Sequence, residues 1–182
     1  TSNSNDAPVA INDIANTVED TIVVLNVTDL LSNDTDADGD ALSITSVNNV
    51  ANGAAILDVV AGTITFTPDA NYHGPASFDY SVTDGVASDI GTVNLDVTAV
   101  NDTPILASAI ADQITNEDNL FNFVLPISTF DDIDAGDNLT LNATLSDGSA
   151  LPNWLSFDAN TQTFSGTPGN NDVGSLDIKV TA

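Results

Sequence analysis

Carboxylates gather in two short runs, Asn33-Asp34-Thr35-Asp36-Ala37-Asp38-Gly39-Asp40 and Asp131-Asp132-Ile133-Asp134-Ala135-Gly136-Asp137. Acids at alternate positions crowd several oxygens into one tight loop, and Gly39 permits the turn. Hard oxygen donors in such number suit calcium, which takes about six to eight of them in irregular geometry, whereas magnesium demands a strict octahedron and sheds water reluctantly. Zinc would want imidazole or thiolate, and the chain has one His and no Cys. Without a cation the loops are electrostatically strained, since two carboxylates about 4 Å apart repel by about 4 kcal/mol at an effective dielectric near 20. The first run opens like the Asp-x-Asp-x-Asp-Gly of an EF-hand. Its twelfth position is Thr45 rather than Glu, and its flanks read as strands, so the pattern argues against that motif.

The whole composition leans the same way. Lys179 is the only cationic side chain against 27 acids, for a formal net charge of -26. That excludes nucleic acid and anionic membrane as partners, which need clustered Lys or Arg, and makes cations the natural counterpart. All the acids but Glu19 and Glu117 are Asp, a turn and loop residue that weakens strands. Any single Asp is as readily a solvated surface group, and only the clusters carry the argument. With 182 residues, 42% of them hydrophobic, the chain can bury one or two cores. The absence of Cys removes disulfides as staples, and a bound metal is one substitute. No run of about 18 apolar residues spans a membrane, and Thr1 to Asp6 does not read as a signal peptide, so the sequence is expected to start downstream of any export signal.

Asn5-Asp6-Ala7-Pro8 recurs as Asn101-Asp102-Thr103-Pro104, and Glu19-Asp20 recurs as Glu117-Asp118. The two glutamates therefore occupy equivalent places, each followed by an acidic run and an alternating strand (Leu42 and Ile44; Leu139, Leu141, Ala143 and Leu145). One fold unit is used twice. Period-two alternation at Val23/Leu25/Val27, Ile64/Phe66, Phe78/Tyr80/Val82, Val93/Leu95/Val97 and Leu176/Ile178/Val180, with no 3.6 period, predicts an all-β chain. The expected architecture is two tandem antiparallel Greek-key β-sandwiches, residues 1–101 and 102–182. The second is expected to lack its last strand, because the first continues past Asp84-Gly85 through a further strand at Gly91 to Ala99 and the second stops at Ala182. Truncation is the favoured explanation and strand donation by a neighbouring chain the other.

These residues carry a resemblance. The order of proline-bearing junction, Glu, Asp-x-Asp loop and strand-Asp-Gly resembles cadherin-like repeats, and Asn101-Asp102-Thr103-Pro104 is similar to their junction signature shortened by one residue. LLSNDTDADGD, ITFTPDANYHG, SFDYSVTDG and VNLDVTAVNDTP resemble the tandem cadherin-like repeats of giant bacterial adhesins of the RTX type. FDDIDAGDNLTLNATLSDGSALPNWLSFDANTQTFSGTP resembles the dystroglycan-type cadherin-like domain. The resemblance implies a calcium site at the junction with ligands from Glu19, Asn101, Asp102, Asp132 and Asp134, with Asp69 near the place of another acidic ligand. It implies a corresponding site at the start of the first unit from Asp6, Asp36, Asp38 and Asp84, while Glu117 faces a partner that this sequence does not contain.

The resulting expectation is a non-enzymatic, calcium-binding structural and adhesive repeat pair of an extracellular bacterial protein, secreted or on the cell surface, with neighbouring repeats of the same or another chain as partners. One alternative is a carbohydrate-binding module that recognises polysaccharide or a cell surface through the loop around Asp147 to Trp154. Another is a filament subunit that uses strand donation. Trp154 reads as a core anchor, Tyr72 and His73 as turn-packing residues and Lys179 as solvated. An aspartate pair for glycoside hydrolysis is possible by residue type, but no aromatic-lined cleft and no Arg accompany it.

Overall fold

The computed structural model describes residues 4–134 and 136–182, which divide into two units, Thr1–Val100 and Asn101–Ala182. The first unit contains β1 (Asp13–Val18), β2 (Val23–Asn26), a one-turn helix α1 (Val27–Leu30), β3 (Ser43–Ala51), β4 (Gly53–Asp58), β5 (Thr63–Pro68), β6 (Gly74–Thr83) and β7 (Ser88–Thr98). They form a four-stranded sheet of order β1-β7-β6-β3 and a three-stranded sheet of order β2-β5-β4. Alternation decides which residues meet between the sheets. Ile64 and Phe66 of β5, Phe78, Tyr80 and Val82 of β6, and Val93 of β7 are wholly buried, while the Thr and Asp residues between them face outward. Phe66 and Phe78 stack across the layers with centroids 6.1 Å apart.

Two features depart from the sequence pattern. β1 runs parallel to β7, from Asp13 opposite Val93 to Val18 opposite Thr98, so the sandwich is antiparallel except along this edge; alternation signals a strand but not its direction. Val27, which continues the alternation of β2, instead opens α1, a single turn closed by the Leu31 amide on the Val27 carbonyl at 3.0 Å. The turn places Leu30 in the core and delivers the chain to the first acidic loop. Four residues are too few to display a helical period.

The second unit has shorter elements: β8 (Ile105–Leu106), β9 (Phe121–Val124), β10 (Phe130–Asp131), β11 (Asn142–Leu145), β12 (Leu155–Asp158), β13 (Thr163–Gly166) and β14 (Ile178–Thr181). They pair as β12-β13-β9, β10-β8 and β11-β14. Leu125, Leu141, Leu155 and Phe164 are its buried core, and Trp154, Phe157 and Val180 pack against it. Trp154 thus helps close the core, as its apolar neighbours predict. The expected strand from Leu139 shortens to β11, and the one from Leu176 shortens to β14.

Candidate metal centre

In the first unit the acidic loop is held by its own carboxylates. Asp36 Oδ1 accepts the amides of Asp38 at 2.9 Å and Asp40 at 3.2 Å, an Asx-type turn that short acids favour. Asp36 Oδ2 is buried and has no hydrogen-bond donor. Asp38 Oδ2 accepts the Asp6 amide at 2.8 Å, tying the incoming chain to the loop, and Val9 and Thr35 bridge it further on. Asn5 donates to the Asp6 carbonyl at 3.0 Å and to Asp84 Oδ2 at 2.9 Å. Asp84 is held below the usual carboxylate range, first by the Ala87 amide, then by Asn5 and the Val86 amide.

The second unit rebuilds this arrangement. Asp132 Oδ1 accepts the Asp134 amide at 3.0 Å, Asp134 Oδ2 accepts the Asp102 amide at 2.6 Å, and Asn101 donates to the Asp102 carbonyl at 2.7 Å. Each of these bonds has its counterpart at Asp36, Asp38, Asp6 and Asn5. Asn101, Asp132 and Asp137 also line one open concavity. In each unit three carboxylates, Asp36, Asp38 and Asp40 or Asp132, Asp134 and Asp137, bring oxygens within 4.8 Å of one another. The third member of each trio, Asp40 and Asp137, was not assigned as a ligand from the sequence, although it continues the same acidic run.

Glu19 sits elsewhere in the first unit, at the end of β1. Its amide donates to the Thr98 carbonyl at 2.9 Å, its carboxylate accepts the Val100 amide, and its side chain is only 3% exposed. His73 Nδ1 lies 3.8 Å from Glu19 Oε2, a neighbour not anticipated from the sequence. Asp69 opens the turn that precedes His73, its carbonyl accepting the Tyr72 amide at 3.1 Å, and belongs to neither carboxylate trio. Tyr72 closes the same turn on the Pro75 carbonyl at 2.6 Å. Glu117, the counterpart of Glu19, is exposed.

A separate acidic network fastens the N-terminal segment. Tyr80 donates to Asp13 at 2.8 Å, Asp34 Oδ1 accepts the Ile11 amide at 2.7 Å and Asp89 accepts the Ala10 amide at 2.9 Å. Burial, with Asp13 adding to it, pushes the Tyr80 phenol far up. Burial likewise raises Asp34, whose Oδ2 has no donor.

The donor set tests well against a hard divalent cation. Every candidate group is oxygen, the loops hold their carboxylates close, and Asp36 keeps a buried oxygen that no protein donor satisfies.

Two β-sandwiches in tandem, each opening on an Asn-Asp segment gripped by an Asp-x-Asp loop, define the class as a repeat-type β-sandwich protein. Residues 4–98 match the model of the cadherin-like domain, and the chain belongs to that family. Residues 103–182 match the model described as a putative Ig domain. Such domains are typically extracellular and serve structural or adhesive rather than catalytic roles. Among curated proteins none matches. Of solved structures, the extracellular cadherin domains 1–4 of protocadherin gamma B7 are 21% identical, over 98% of this chain and 46% of that one, at a TM-score of 0.51. An endo-fucoidan hydrolase of glycoside hydrolase family 107, MfFcnA4, is 22% identical over 96% of this chain and 27% of that one, at a TM-score of 0.39. A SusE-like surface polysaccharide-binding protein of Bacteroides thetaiotaomicron is 14% identical over 97% and 34%, at a TM-score of 0.36. The chain spans less than half the length of each. No helix among the described residues is long and apolar enough to cross a membrane.

Proposed function

We propose that the chain is a calcium-binding pair of structural repeats from an extracellular adhesive protein, in which calcium stiffens the connection between successive repeats. The observation that carries this reading is the same loop built twice: in both units an Asp-x-Asp turn aims one carboxylate at the amide of an Asn-Asp segment. In the first unit Asp6, Asp36, Asp38, Asp40 and Asp84 would hold the ion. In the second Asn101, Asp102, Asp132, Asp134 and Asp137 would do so, with Glu19, and Asp69 beyond it, contributing from the preceding repeat. Glu19 supports that role because it grips the amide of Val100, two residues before Asp102 in the chain.

The physical effect is simple. Carboxylates that repel one another when empty attract a shared cation, so ligands from a loop and from a linker become mutually restrained. Extracellular calcium modules bind at about 10⁻⁴ to 10⁻³ M, which fills such sites outside a cell and empties them inside it. The partners are then neighbouring repeats, in a rod that presents an adhesive element elsewhere in the protein. Titration calorimetry on the 182-residue chain tests this directly. Asp102→Ala and Asp134→Ala should abolish the same calcium-binding event, and small-angle scattering should show a narrower range of conformations with calcium than with chelator. Scattering profiles that superimpose in the two conditions would overturn the proposal.

A further inference from the structure

The two sheets of the first unit present unlike surfaces to solvent. On the four-stranded sheet, Asp79 of β6 and Asp96 of β7 stand at positions that alternate with the buried ones. The three-stranded sheet has one acid, Asp58 of β4, in all of β2, β4 and β5. Its carboxylate is turned onto the amides of Val60 and Ala61, each at 2.9 Å. Strand pairing puts Val24, Thr65 and Ile56 in one outward row across β2, β5 and β4, and Thr67 and Ala54 in the next. Val24 is 53% exposed and Ile56 68%. In a chain of net charge -26, this sheet face is uncharged, apolar and open, the kind of contiguous patch that marks a contact surface.

The central row has the same chemistry on either side of Thr65. We propose that this face docks a second copy of the chain, sheet on sheet, about a two-fold axis that runs along β5. Such an axis sets Val24 of each copy on Ile56 of the other and Thr65 on Thr65, so the patch is its own complement, as an isologous contact requires. Charge selects the occupant and the face together. Two copies repel wherever their carboxylates meet, and the three-stranded sheet is a surface on which none do. A cationic partner would find its counter-charges on the acidic loops or the other sheet instead. Size sets the strength. Three strands about 4.8 Å apart, six residues long at about 3.3 Å each, offer about 300 Å², well short of the about 800 Å² per partner of a stable complex. The contact is therefore weak, forming at about 10⁻⁴ to 10⁻³ M chain, and it gains strength where several copies are held together.

The test is sedimentation equilibrium of the 182-residue chain from about 10⁻⁵ to 10⁻³ M, in chelator, so that the result stands apart from calcium binding. The average mass should rise with concentration. It should rise further at about 0.5 M NaCl than at about 0.05 M, because salt screens the like charges that oppose pairing. Val24→Ser with Ile56→Ser should weaken association about tenfold or more, with the melting midpoint showing that the fold survives. Ile14→Ser, at a residue 89% exposed on the other sheet, should leave association unchanged. Thr65→Cys, in a chain that has no Cys, should give a covalent dimer with a short bis-maleimide, and Asn94→Cys on the other sheet should not. A chain that stays monomeric over the whole range at the higher salt overturns the inference. So does association that Ile14→Ser weakens as much as the double substitution, or cross-linking that is as efficient at position 94 as at 65.

Discussion

Replacing Asp134 by Asn separates the structural and ion-binding duties of the second acidic loop. Asp134 Oδ2 accepts the Asp102 amide at 2.6 Å, and an Asn oxygen can accept the same bond. The loss is the difference between a charged and a neutral acceptor, about 1 kcal/mol. Against it stands the repulsion within Asp132, Asp134 and Asp137, whose oxygens lie within 4.8 Å of one another. Each pair at that distance costs about 1 kcal/mol in water-like surroundings and about 3.5 kcal/mol at an effective dielectric of 20. The trio is partly exposed, which favours the lower figure, so removing two pairs returns about 2 kcal/mol and the calcium-free variant should be about 1 kcal/mol more stable than the parent. With calcium the sign reverses. At about 10 mM calcium and a dissociation constant of about 10⁻⁴ to 10⁻³ M, the parent gains about 1.4 to 2.7 kcal/mol, and a variant that has lost a carboxylate ligand gains little. Melting of the second unit in calcium and in chelator reads both quantities, since about 1 kcal/mol moves the midpoint by about 4 to 8 °C. An Asp134→Asn variant whose calcium-induced shift equals the parent's refutes the assignment of this loop as the ligand set.

Two further outcomes follow from the packing. Burial holds the Asp34 carboxyl above its ordinary value of 3.8, so the native state binds the proton more tightly than the unfolded chain. Stability from this group is present below that value and is lost as pH rises through the raised one, which leaves the ionised form a cost at neutral pH. Asp34→Asn keeps an oxygen for the Ile11 amide and should raise the melting midpoint at pH 7 while leaving it nearly unchanged at pH 3; a lower midpoint at pH 7 contradicts this. At Gly166, a Cβ would lie 1.8 Å from the Trp154 carbonyl oxygen and 2.8 Å from its carbon, both backbone atoms that move only with the β12–β13 pairing. Gly166→Ala should cost the second unit at least the upper part of the about 1–3 kcal/mol of overpacking, read as a lower denaturant midpoint for that unit with the first unit unchanged.

Alternation alone determined the inward residues of β5, β6 and β7, because in a strand the side-chain period is two whatever the surroundings. Repetition of Asn-Asp-x-Pro and of the acidic runs pointed to both acidic loops, since Asp in a turn bonds its own backbone locally and that bond is written in consecutive residues. Tertiary structure decided the rest. The parallel course of β1 beside β7, the amides of Asp6 and Asp102 on Asp38 and Asp134, the Val100 amide on Glu19 and the seat of His73 against Glu19 all join residues far apart in the chain. Strand direction and long-range hydrogen bonds depend on where sheets close and which backbone groups that closure leaves to be satisfied, and no local pattern encodes either.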